Sequence, residues 1–515
     1  MLRGYYILKR SGSLWKLNNI NEDLSITRTI ENNKGFSKLL FGNSVHDIEL
    51  VIRQFILKNF CGVRLNKKIL YYKGIDKPLI YPLPYSWLKI IKKNDFKVDI
   101  NKSTILWYFF VLAFLLFGIF SILKTLIVNL KSIFYPHDMK KNYIYFDSLS
   151  SSNIPKKRTL KNEFTIINWY LQSHLRDSNI EAIYHTAKTD STVLKGGILL
   201  ASISSVILPL SNFRSFMEYF VWSILAVLKA LLDFIFGKWW SALLLNEALK
   251  RKVVSLHPYN NLAKEYFFHN SNWIYRPLWT YEAEKLGSLI TFYFYSTNIM
   301  PLKKNAKPAY GYNVMSWPKY LVWDIHQENF IRNCVNANKI DQVGPIWFSD
   351  STTKLKSINS KLIIAIFDVQ PVRDSFYKVL GIDYDYYTVK NISQFILDIL
   401  DLFDSKDCIV VLKRKRDIGK LSHISYRNLI KKLSSNPKFK IEDSNVSARL
   451  LIEKSNLVIS MPYTSTAIIA KELGKPSVYY DPTNKLFYDT SKSHGIELLL
   501  GKKSLNKWII ENSNL

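Results

Sequence analysis

A run of 19 residues without a charged side chain, Ile105 to Leu123, limits what this chain can fold into more than any other feature. At a helical rise of about 1.5 Å per residue it just reaches the roughly 30 Å hydrocarbon core of a bilayer. Lysines flank the run at both ends, with Lys102 before it and Lys124 and Lys131 after it. The sequence predicts either a membrane-associating helix or, as the alternative, a buried core helix.

A second apolar region extends from Gly196 to Leu249 and contains few charges. Lys229 and Asp233 are four residues apart within it, a spacing that places them on one face of a helix. The Trp239-Trp240 step is typical of an interfacial aromatic belt. We expect a helical hairpin that lies in or dips into a membrane surface, with two core helices as the alternative. A single spanning helix would divide the chain between two compartments, so a monotopic arrangement is favoured.

The composition limits the classes of protein and partner. The length of 515 residues suggests two to four domain-sized units, and 48% hydrophobic residues exclude a disordered chain. The net charge of +30 indicates a partner with phosphate or carboxylate groups: nucleic acid, anionic lipid or a nucleotide-activated substrate. Three widely separated cysteines argue against a disulfide scaffold and favour a reducing cytosolic location. The N-terminal residues have no signal-peptide core, so we expect no secretion signal.

Beyond the apolar segments, predicted strands alternate with predicted helices, which is typical of parallel sheets. Strands are expected near residues 143–149, 180–185, 251–256, 289–295 and 320–323, and a polar linker at 349–361. In the C-terminal half, strands at 362–368, 408–412, 438–442, 457–460 and 477–480 alternate with helices. Gly474 followed by Pro476 is a helix stop.

The predicted fold class is α/β and GT-B-like, with two Rossmann-like domains that face a cleft and an apolar helical insert. The expected units are an N-terminal α/β region (1–100), an apolar helix (101–135), an acceptor domain (136–350) with its insert (196–249), and a nucleotide-sugar-binding domain (361–515). Domains of this type bind ligands at the carboxyl ends of their strands.

Two segments at such strand ends are candidates for phosphate binding. Ser460 ends a predicted strand, a proline turns the chain, and the residues that follow open a helix whose amides and hydroxyls would form an anion site; those residues are Tyr463, Thr464, Ser465 and Thr466. Four consecutive bases follow another predicted strand: Lys413, Arg414, Lys415 and Arg416. Plain helix capping and a solvated charge run are the alternatives.

The run EKSNLVISMPYTSTAIIAKELGKPSVYYDP resembles the C-terminal signature of bacterial surface-polysaccharide glycosyltransferases with the GT-B fold, near the surface-carbohydrate biosynthesis proteins and the sialyl-, polysialyl- and Kdo-transferases. The resemblance implies that a His-Pro motif and a later Ser/Thr-rich helix start bind the CMP of a donor, and that an acidic residue of the N-terminal domain is the base. The best His-Pro match, His257-Pro258, lies in the wrong half of the chain. We therefore assign His257 to the acceptor and expect the basic run to replace the motif.

A transferase must deprotonate an acceptor hydroxyl, and a carboxylate in the cleft suffices. Glu282 and Glu284 are the leading candidates and Asp324, which follows a predicted strand, is the reserve. Arg373 is expected to grip a phosphate or a sugar carboxylate, and Arg276 to address the acceptor. No metal site is predicted, and Asp383-Tyr384-Asp385 is set aside as a metal motif.

The sequence thus predicts a membrane-associated, metal-independent glycosyltransferase of surface polysaccharide biosynthesis. It would need no cofactor and would move a sugar, with a CMP-activated ulosonic acid as the first expectation, to a lipid-linked capsule or lipopolysaccharide acceptor. Its expected partners are the nucleotide sugar, the glycan and the anionic cytoplasmic face of the bacterial inner membrane. The alternatives are a polyol-phosphate transferase of the teichoic-acid polymerase kind, a non-catalytic assembly protein, and a nucleic-acid-binding membrane protein.

Overall fold

The computed structural model of the protein describes the whole chain except residues 31–34, 136–138, 156–164, 195, 270, 272, 297–309, 338, 347–361, 383–385, 415–417, 445, 487–492 and 514–515. The predicted linker and the Asp383 to Asp385 string therefore lie outside the described residues. So do Lys415 and Arg416 of the basic run.

The first sheet has eight strands in the order β3-β4-β2-β1-β5-β6-β7-β8, and every pair is parallel except β3 with β4. Its strands are β1 (Tyr143–Phe146), β2 (Ala182–His185), β3 (Thr192–Val193), β4 (Leu199–Ser202), β5 (Glu265–His269), β6 (Leu289–Tyr293), β7 (Lys319–Val322) and β8 (Lys339–Gln342). The strand order reverses direction between β1 and β5, so this is the switch point where an open parallel sheet binds ligands.

The second sheet has six strands in the order β11-β10-β9-β12-β13-β14, all parallel to their neighbours. Its strands are β9 (Leu362–Phe367), β10 (Cys408–Lys413), β11 (Phe439–Glu442), β12 (Leu457–Ser460), β13 (Ser477–Asp481) and β14 (Leu498–Leu500). The runs of Ile, Val and Leu in β9 and β10 are buried along their whole length, as expected for strands covered on both faces. The switch point lies between β9 and β12.

Helices surround these sheets and form the N-terminal region. They are α1 (Leu2–Arg10), α2 (Lys16–Ile26), α3 (Lys38–Phe41), α4 (Ile48–Phe60), α5 (Val63–Gly74), α6 (Tyr85–Lys93), α7 (Ile100–Phe134), α8 (Ile166–Gln172), α9 (Phe213–Ile235), α10 (Trp239–Leu243), α11 (Leu245–Ser255), α12 (Leu278–Lys285), α13 (Ile325–Cys334), α14 (Asp374–Val379), α15 (Val389–Phe403), α16 (Ile424–Leu433), α17 (Ala448–Lys454), α18 (Ser465–Glu472) and α19 (Gly501–Ser513). The two doubly wound sheets with an apolar helical insert are the GT-B-like arrangement that the sequence predicts.

Some expected elements differ from those observed. The described residues of 1–100 form six helices and one isolated bridge, Leu79 to Val98, instead of an α/β region. Residues 251–256 belong largely to α11, because Ala248, Leu249 and Val253 continue an apolar helix face, and β5 takes the place of the expected strand. The run that opens the second apolar region contributes β4 rather than a helix.

The long helix α7 keeps one stripe of its surface against the protein from end to end. The buried residues recur mostly every three or four positions, from Ser103 through Trp107 and Val111 to Ser132. Gly118, within this stripe, lies against Leu245 of α11. Large apolar side chains cover the remaining surface, and Phe109 and Phe120 are each 64% exposed. The helix therefore lies along the protein with its apolar outer face uncovered.

Helix α9 packs beside α7 and also exposes apolar side chains. Asp233 is buried on its inner side and accepts hydrogen bonds from Lys229 Nζ at 2.8 Å and Ser241 Oγ at 2.7 Å, so the predicted pair forms. Trp239 and Trp240, expected at a membrane interface, are buried instead, and Trp239 packs edge-on against Trp107 with ring centroids 5.2 Å apart.

The contact between α1 and α5 generates a stability prediction. A Cβ atom at Gly4 would lie 1.9 Å from the Leu70 carbonyl oxygen and 3.1 Å from the Gly74 nitrogen. Replacing glycine with alanine in a helix normally stabilises it by up to about 1 kcal/mol. Here Gly4→Ala should instead lower the free energy of unfolding by about 1–3 kcal/mol, because the helices must separate. Urea unfolding measures the change, and exposed Lys68→Ala on α5 is the control; a stabilised Gly4→Ala protein would contradict the packing.

Candidate functional site

Asp324 and His494 join the two domains. Asp324 follows β7 and caps α13, with its Oδ1 accepting from the Gln327 amide at 2.9 Å. Its Oδ2 lies 2.6 Å from His494 Nδ1 of the second domain. Burial raises the pKa of Asp324, but the hydrogen bonds and positive charge from His494 and the Gln327 amide outweigh it, so the pKa lies below its ordinary value. An ionised carboxylate therefore stands at the domain boundary.

His494 is held in an unusual conformation. Its φ of +54° is in the left-handed region, which costs free energy for any residue other than glycine. The side chain is 4% exposed, and its Nε2 has no hydrogen-bond partner among the described residues. The backbone conformation of His494 and its hydrogen bond with Asp324 thus hold the buried imidazole against the carboxylate.

The predicted phosphate-binding turn connects β12 to α18. Tyr463 has a φ of +59°, which turns the chain sharply before Thr464 caps the helix. The Thr466 hydroxyl lies 2.9 Å from Ser460 Oγ and 3.3 Å from Thr464 Oγ1. Thr464, Ser465 and Thr466 are half-buried, and the cap residue makes no side-chain bond to a helix amide. The first amides of α18 are therefore available to an anion.

Tyr479 links this turn to the carboxylate of the first domain. Its hydroxyl donates to the Thr464 carbonyl at 2.9 Å, and its ring lies 5.8 Å from that of Tyr463. Burial raises the pKa of Tyr479, and negative charges including that of Asp324 raise it further. Tyr479 therefore contacts the predicted anion site directly and experiences the charge of the reserve base candidate.

The carboxyl ends of β9 and β10 carry Asp368 and the start of the basic run. Burial raises the pKa of Asp368 to about 6, although a hydrogen bond from Tyr426 and the charge of Arg414 oppose the shift. Lys413 is buried and donates to the carbonyl oxygens of Arg414 and Ser444 at 3.0 and 3.2 Å. Arg414 is half-buried. Of the two described residues of the basic run, Lys413 and Arg414, only Arg414 is placed to meet a ligand.

Glu282 and Glu284, the leading base candidates, are bound in ion pairs away from the cleft. Glu282 is buried and pairs with Arg251 at 2.9 Å, and Ser44 Oγ donates to the same carboxylate oxygen at 2.9 Å. Glu284 pairs with Arg276. Both lie in the second half of α12, which runs back toward the amino ends of the strands: just beyond it, the Leu289 amide donates to the Lys264 carbonyl before β5. Both leading candidates are thus paired with arginines of the fold, and the role predicted for them stays a prediction.

The remaining candidates also have clear positions. Arg276 is buried, stacks on Tyr281 with its guanidinium 3.8 Å from the ring, and donates to the Ser316 carbonyl at 3.0 Å, so it holds the fold together rather than an acceptor. His257 follows a helix, not a strand, and its Nε2 lies 2.8 Å from the Leu208 carbonyl oxygen. Both side chains therefore make contacts within the fold, and their acceptor roles stay predictions. Arg373 is exposed on the loop after β9.

Sequence reasoning missed residues at both ligand edges. His494 has no motif around it, and only its contact with Asp324 marks it. Asp147 follows β1 and its amide donates to the Phe267 carbonyl at 2.8 Å, which places it at the first switch point beside His269 at the end of β5. Burial lowers the pKa of His269 to about 4, so this imidazole is neutral. The predicted strand extended past Asp147, so the sequence did not mark this residue as lying at a strand end.

Comparison with known proteins places the chain in a wider group. A family model described as polysaccharide biosynthesis PFTS motif protein matches residues 228–509, more than half of the chain. No curated protein matches the chain.

Several solved structures are similar at low identity. The glycotransferase of kitacinnamycin is 11% identical, with 72% of this chain and 91% of that chain covered and a TM-score of 0.34. The UDP-GlcNAc 2-epimerase of Methanocaldococcus jannaschii is 12% identical, with 72% of this chain and 93% of that chain covered and a TM-score of 0.33. A variant of the wall teichoic acid polymerase TagF is 8% identical, with 76% of this chain and 89% of that chain covered and a TM-score of 0.36. Similarities this weak do not identify an activity.

The environment of Asp368 predicts a pH dependence of stability. Because its pKa is about 6 in the folded protein and about 3.9 unfolded, the folded state binds more protons between these values. This contribution to stability is full below the unfolded pKa and is lost as the pH rises through about 6. The free energy of unfolding should fall by roughly 1 kcal/mol between pH 5 and pH 7.5 on this account. Asp368→Asn should remove that fall in urea titrations, whereas exposed Asp374→Asn should keep it; equal slopes would refute the assignment.

Proposed function

The chain belongs to the polysaccharide biosynthesis PFTS motif protein family, and from this membership we propose that it is a membrane-associated glycosyltransferase that moves a sugar from a nucleotide donor to a lipid-linked surface glycan. The observation that supports transfer is the contact of Asp324 in the first domain with His494 of the second domain, which also carries the turn that begins α18. One domain supplies a carboxylate, and the other supplies hydroxyls and helix amides suited to a leaving phosphate.

Asp324 would act as the base. As the acceptor hydroxyl oxygen forms a bond to the anomeric carbon of the donor, its proton passes to Asp324, and the bond between that carbon and the phosphate oxygen breaks. The electron pair of the broken bond stays on the nucleotide phosphate. His494 would act as a positioning residue, because its Nδ1 contacts Asp324 Oδ2 and orients the carboxylate.

The turn at Tyr463 to Thr466 would hold the departing phosphate. The amides at the start of α18 point out of the helix, and the helix dipole favours a negative charge there. Such fixed donors stabilise charge that develops during the reaction without having to reorganise. We propose a CMP-linked donor, an ulosonic acid, on the strength of the resemblance described above. Transfer of labelled glycerol phosphate, without transfer of any sugar, would overturn this proposal.

The exposed surface of α7 and α9 supports attachment to a membrane. Both helices are long and apolar enough to cross a bilayer, but one stripe of each is packed on the protein, with 28% of the most apolar window buried in both. A helix bound to its own domain along its length cannot cross a bilayer without that domain. We therefore propose a monotopic arrangement in which α7 and α9 lie in the plane of the cytoplasmic leaflet. Lys124 and Lys131 are exposed on α7 and would meet anionic headgroups.

The role of Asp324 can be tested by isosteric substitution. Asp324→Asn should lower sugar transfer about 10²- to 10⁴-fold, the usual contribution of a general base, and leave the melting temperature near that of the wild type. Glu282→Gln should instead unfold more easily by about 3–5 kcal/mol, because it leaves Arg251 buried without its charge partner, yet keep its activity per folded molecule. Glu284→Gln, which removes the other carboxylate of α12, is the matched control and should likewise keep its activity per folded molecule. Full transfer by Asp324→Asn would exclude it as the base.

Membrane attachment has a separate test. Phe117→Glu combined with Leu228→Glu, on the exposed faces of α7 and α9, should abolish flotation with vesicles that contain anionic lipid. Leu397→Glu, an exposed apolar position on α15, is the matched control and should float like the wild type.

The orientation of α7 has its own test. Cysteines placed at Lys102 and Lys131, the two ends of α7, should react with an impermeant maleimide from the same side. Labelling from opposite sides would show a spanning helix and contradict the in-plane arrangement.

A further inference from the structure

A polar cavity opens at the amino ends of β1 and β5, beside the last turn of α7. Lys140 and Lys141 precede β1, Asn260 and Asn261 precede β5, and Ser132 belongs to α7. The volume of the cavity is about 250 Å³, which suits a headgroup rather than a whole drug-sized ligand. Parallel strands begin at one edge of a sheet and end at the other. The cavity therefore lies on the opposite edge of the first sheet from the end of β7 and from the base candidate that follows it.

The charge at this cavity is positive. Lys140 and Lys141 are exposed, and neither forms an ion pair with a residue in the described part of the chain. No carboxylate is among the described residues that line the cavity. His257 also lines it and is neutral, because burial lowers the pKa of its imidazole. Two uncompensated cations at a concave surface attract an anion, and a phosphate can accept hydrogen bonds from both.

One buried hydroxyl faces the cavity without a partner. Ser132 is 4% exposed, lines the cavity and forms no hydrogen bond with a described residue. Its oxygen is open to the cavity, unlike Asn129 Nδ2 three residues earlier, which is closed off inside the protein. Thr125, on the same helix, instead donates to the Ser121 carbonyl oxygen at 2.8 Å. A buried hydroxyl without a partner is unfavourable, so its position at the cavity wall indicates a ligand that bonds with it.

The mouth of the cavity borders the uncovered apolar surface of α7 and α9. Phe134 and Tyr135, at the end of α7, are 71% and 78% exposed, and Phe213, the first residue of α9, is 63% exposed. Leu208 and Met139 add apolar groups to the lining. Lysine and aromatic side chains together are typical of the layer in which lipid headgroups lie. The cavity is therefore placed where a membrane-bound protein would meet a headgroup phosphate.

The walls of the cavity are held together by hydrogen bonds between separate segments. The Tyr143 hydroxyl donates to the Asn261 carbonyl oxygen at 3.2 Å and thereby joins the start of β1 to the loop before β5. His257 Nε2 lies 2.8 Å from the Leu208 carbonyl oxygen and joins that loop to the segment before α9. A preformed site loses little conformational entropy when a ligand binds.

We propose that this cavity binds one anionic phospholipid by its headgroup phosphate, with Lys140 and Lys141 facing the phosphate and Ser132, Asn260 and Asn261 bonding its oxygens. The assignment rests on the membrane attachment proposed above. A free phosphate would meet the same cations, but it would leave the apolar lining and the exposed aromatic rim uncovered. The lipid is not a reactant, because the base candidate lies at the other edge of the sheet.

Isothermal titration calorimetry of the full-length protein in a nonionic detergent tests the proposal. The probes are dihexanoyl phosphatidate, dihexanoyl phosphatidylcholine and inorganic phosphate. One phosphatidate should bind per chain, and phosphatidylcholine should bind more weakly because its choline cation meets the two lysines. Lys140→Gln combined with Lys141→Gln should weaken phosphatidate binding about 30-fold, the loss expected for two lysines near a lipid phosphate. Ser132→Ala should weaken it about tenfold.

Lys124→Gln combined with Lys131→Gln is the matched control. Both lysines are exposed on α7, but neither lines the cavity. This variant should bind phosphatidate as tightly as the wild type does, although it should float less with anionic vesicles. Ser132→Ala removes no hydrogen bond between described residues and no charge, so a loss of binding in that variant reports on the cavity and not on the folded state or on the surface potential.

The outcomes separate this site from general membrane attachment. An equal loss of affinity in the two double-lysine variants would show diffuse surface charge and overturn the site. Inorganic phosphate that binds as tightly as phosphatidate would show a free-phosphate site and refute the lipid assignment. Wild-type protein that floats with anionic vesicles but binds no phosphatidate in detergent would overturn the site and leave attachment standing. Phosphatidate binding with the expected losses, in a protein that does not float, would support the site and refute attachment.

Discussion

Parallel strand pairing is the constraint on which the rest of this molecule depends. In a parallel sheet all strands end at the same edge, so side chains that follow different strands meet without being close in sequence. Arg414 after β10 and Gln370 after β9 are brought to one edge of the second sheet in this way. Asp324 follows β7 of the first sheet and meets the second domain through His494.

The second constraint is the long helix α7, which has two different surfaces. Its inner stripe is buried by α10 and α11, as at Gly118, where there is no side chain to keep Leu245 away. Its outer surface is apolar and uncovered, at a free-energy cost in water that lipid would remove. The excess of positive charge agrees with such a location, since lysines at the ends of the apolar segments would face anionic headgroups.

The second sheet was predicted well because its signals are local. Runs such as LIIAIF in β9 and CIVVL in β10 are long enough to be buried on both faces, and Gly474 with Pro476 ends α18 as expected. The N-terminal region was predicted wrongly as α/β, although the buried residues of α1 and α6 recur at helical spacing. Residues 251–256 were misassigned because their valines favour a strand locally, while their packing against α7 and α12 favours a helix.

The candidate site likewise has parts that local sequence patterns predict and parts that depend on tertiary contacts. The sequence alone determined the hydroxyl-rich turn at Thr464 to Thr466, the bases after β10 and the apolar segments, because each is a contiguous pattern that acts through nearby backbone. Only the tertiary structure decided which carboxylate lies at the domain boundary: Glu282 is neutralised by Arg251, a residue 31 positions away, whereas Asp324 meets His494, which is 170 positions away. An ionisable side chain acquires its role from the charges and hydrogen bonds around it, and those neighbours come together only when the chain has folded.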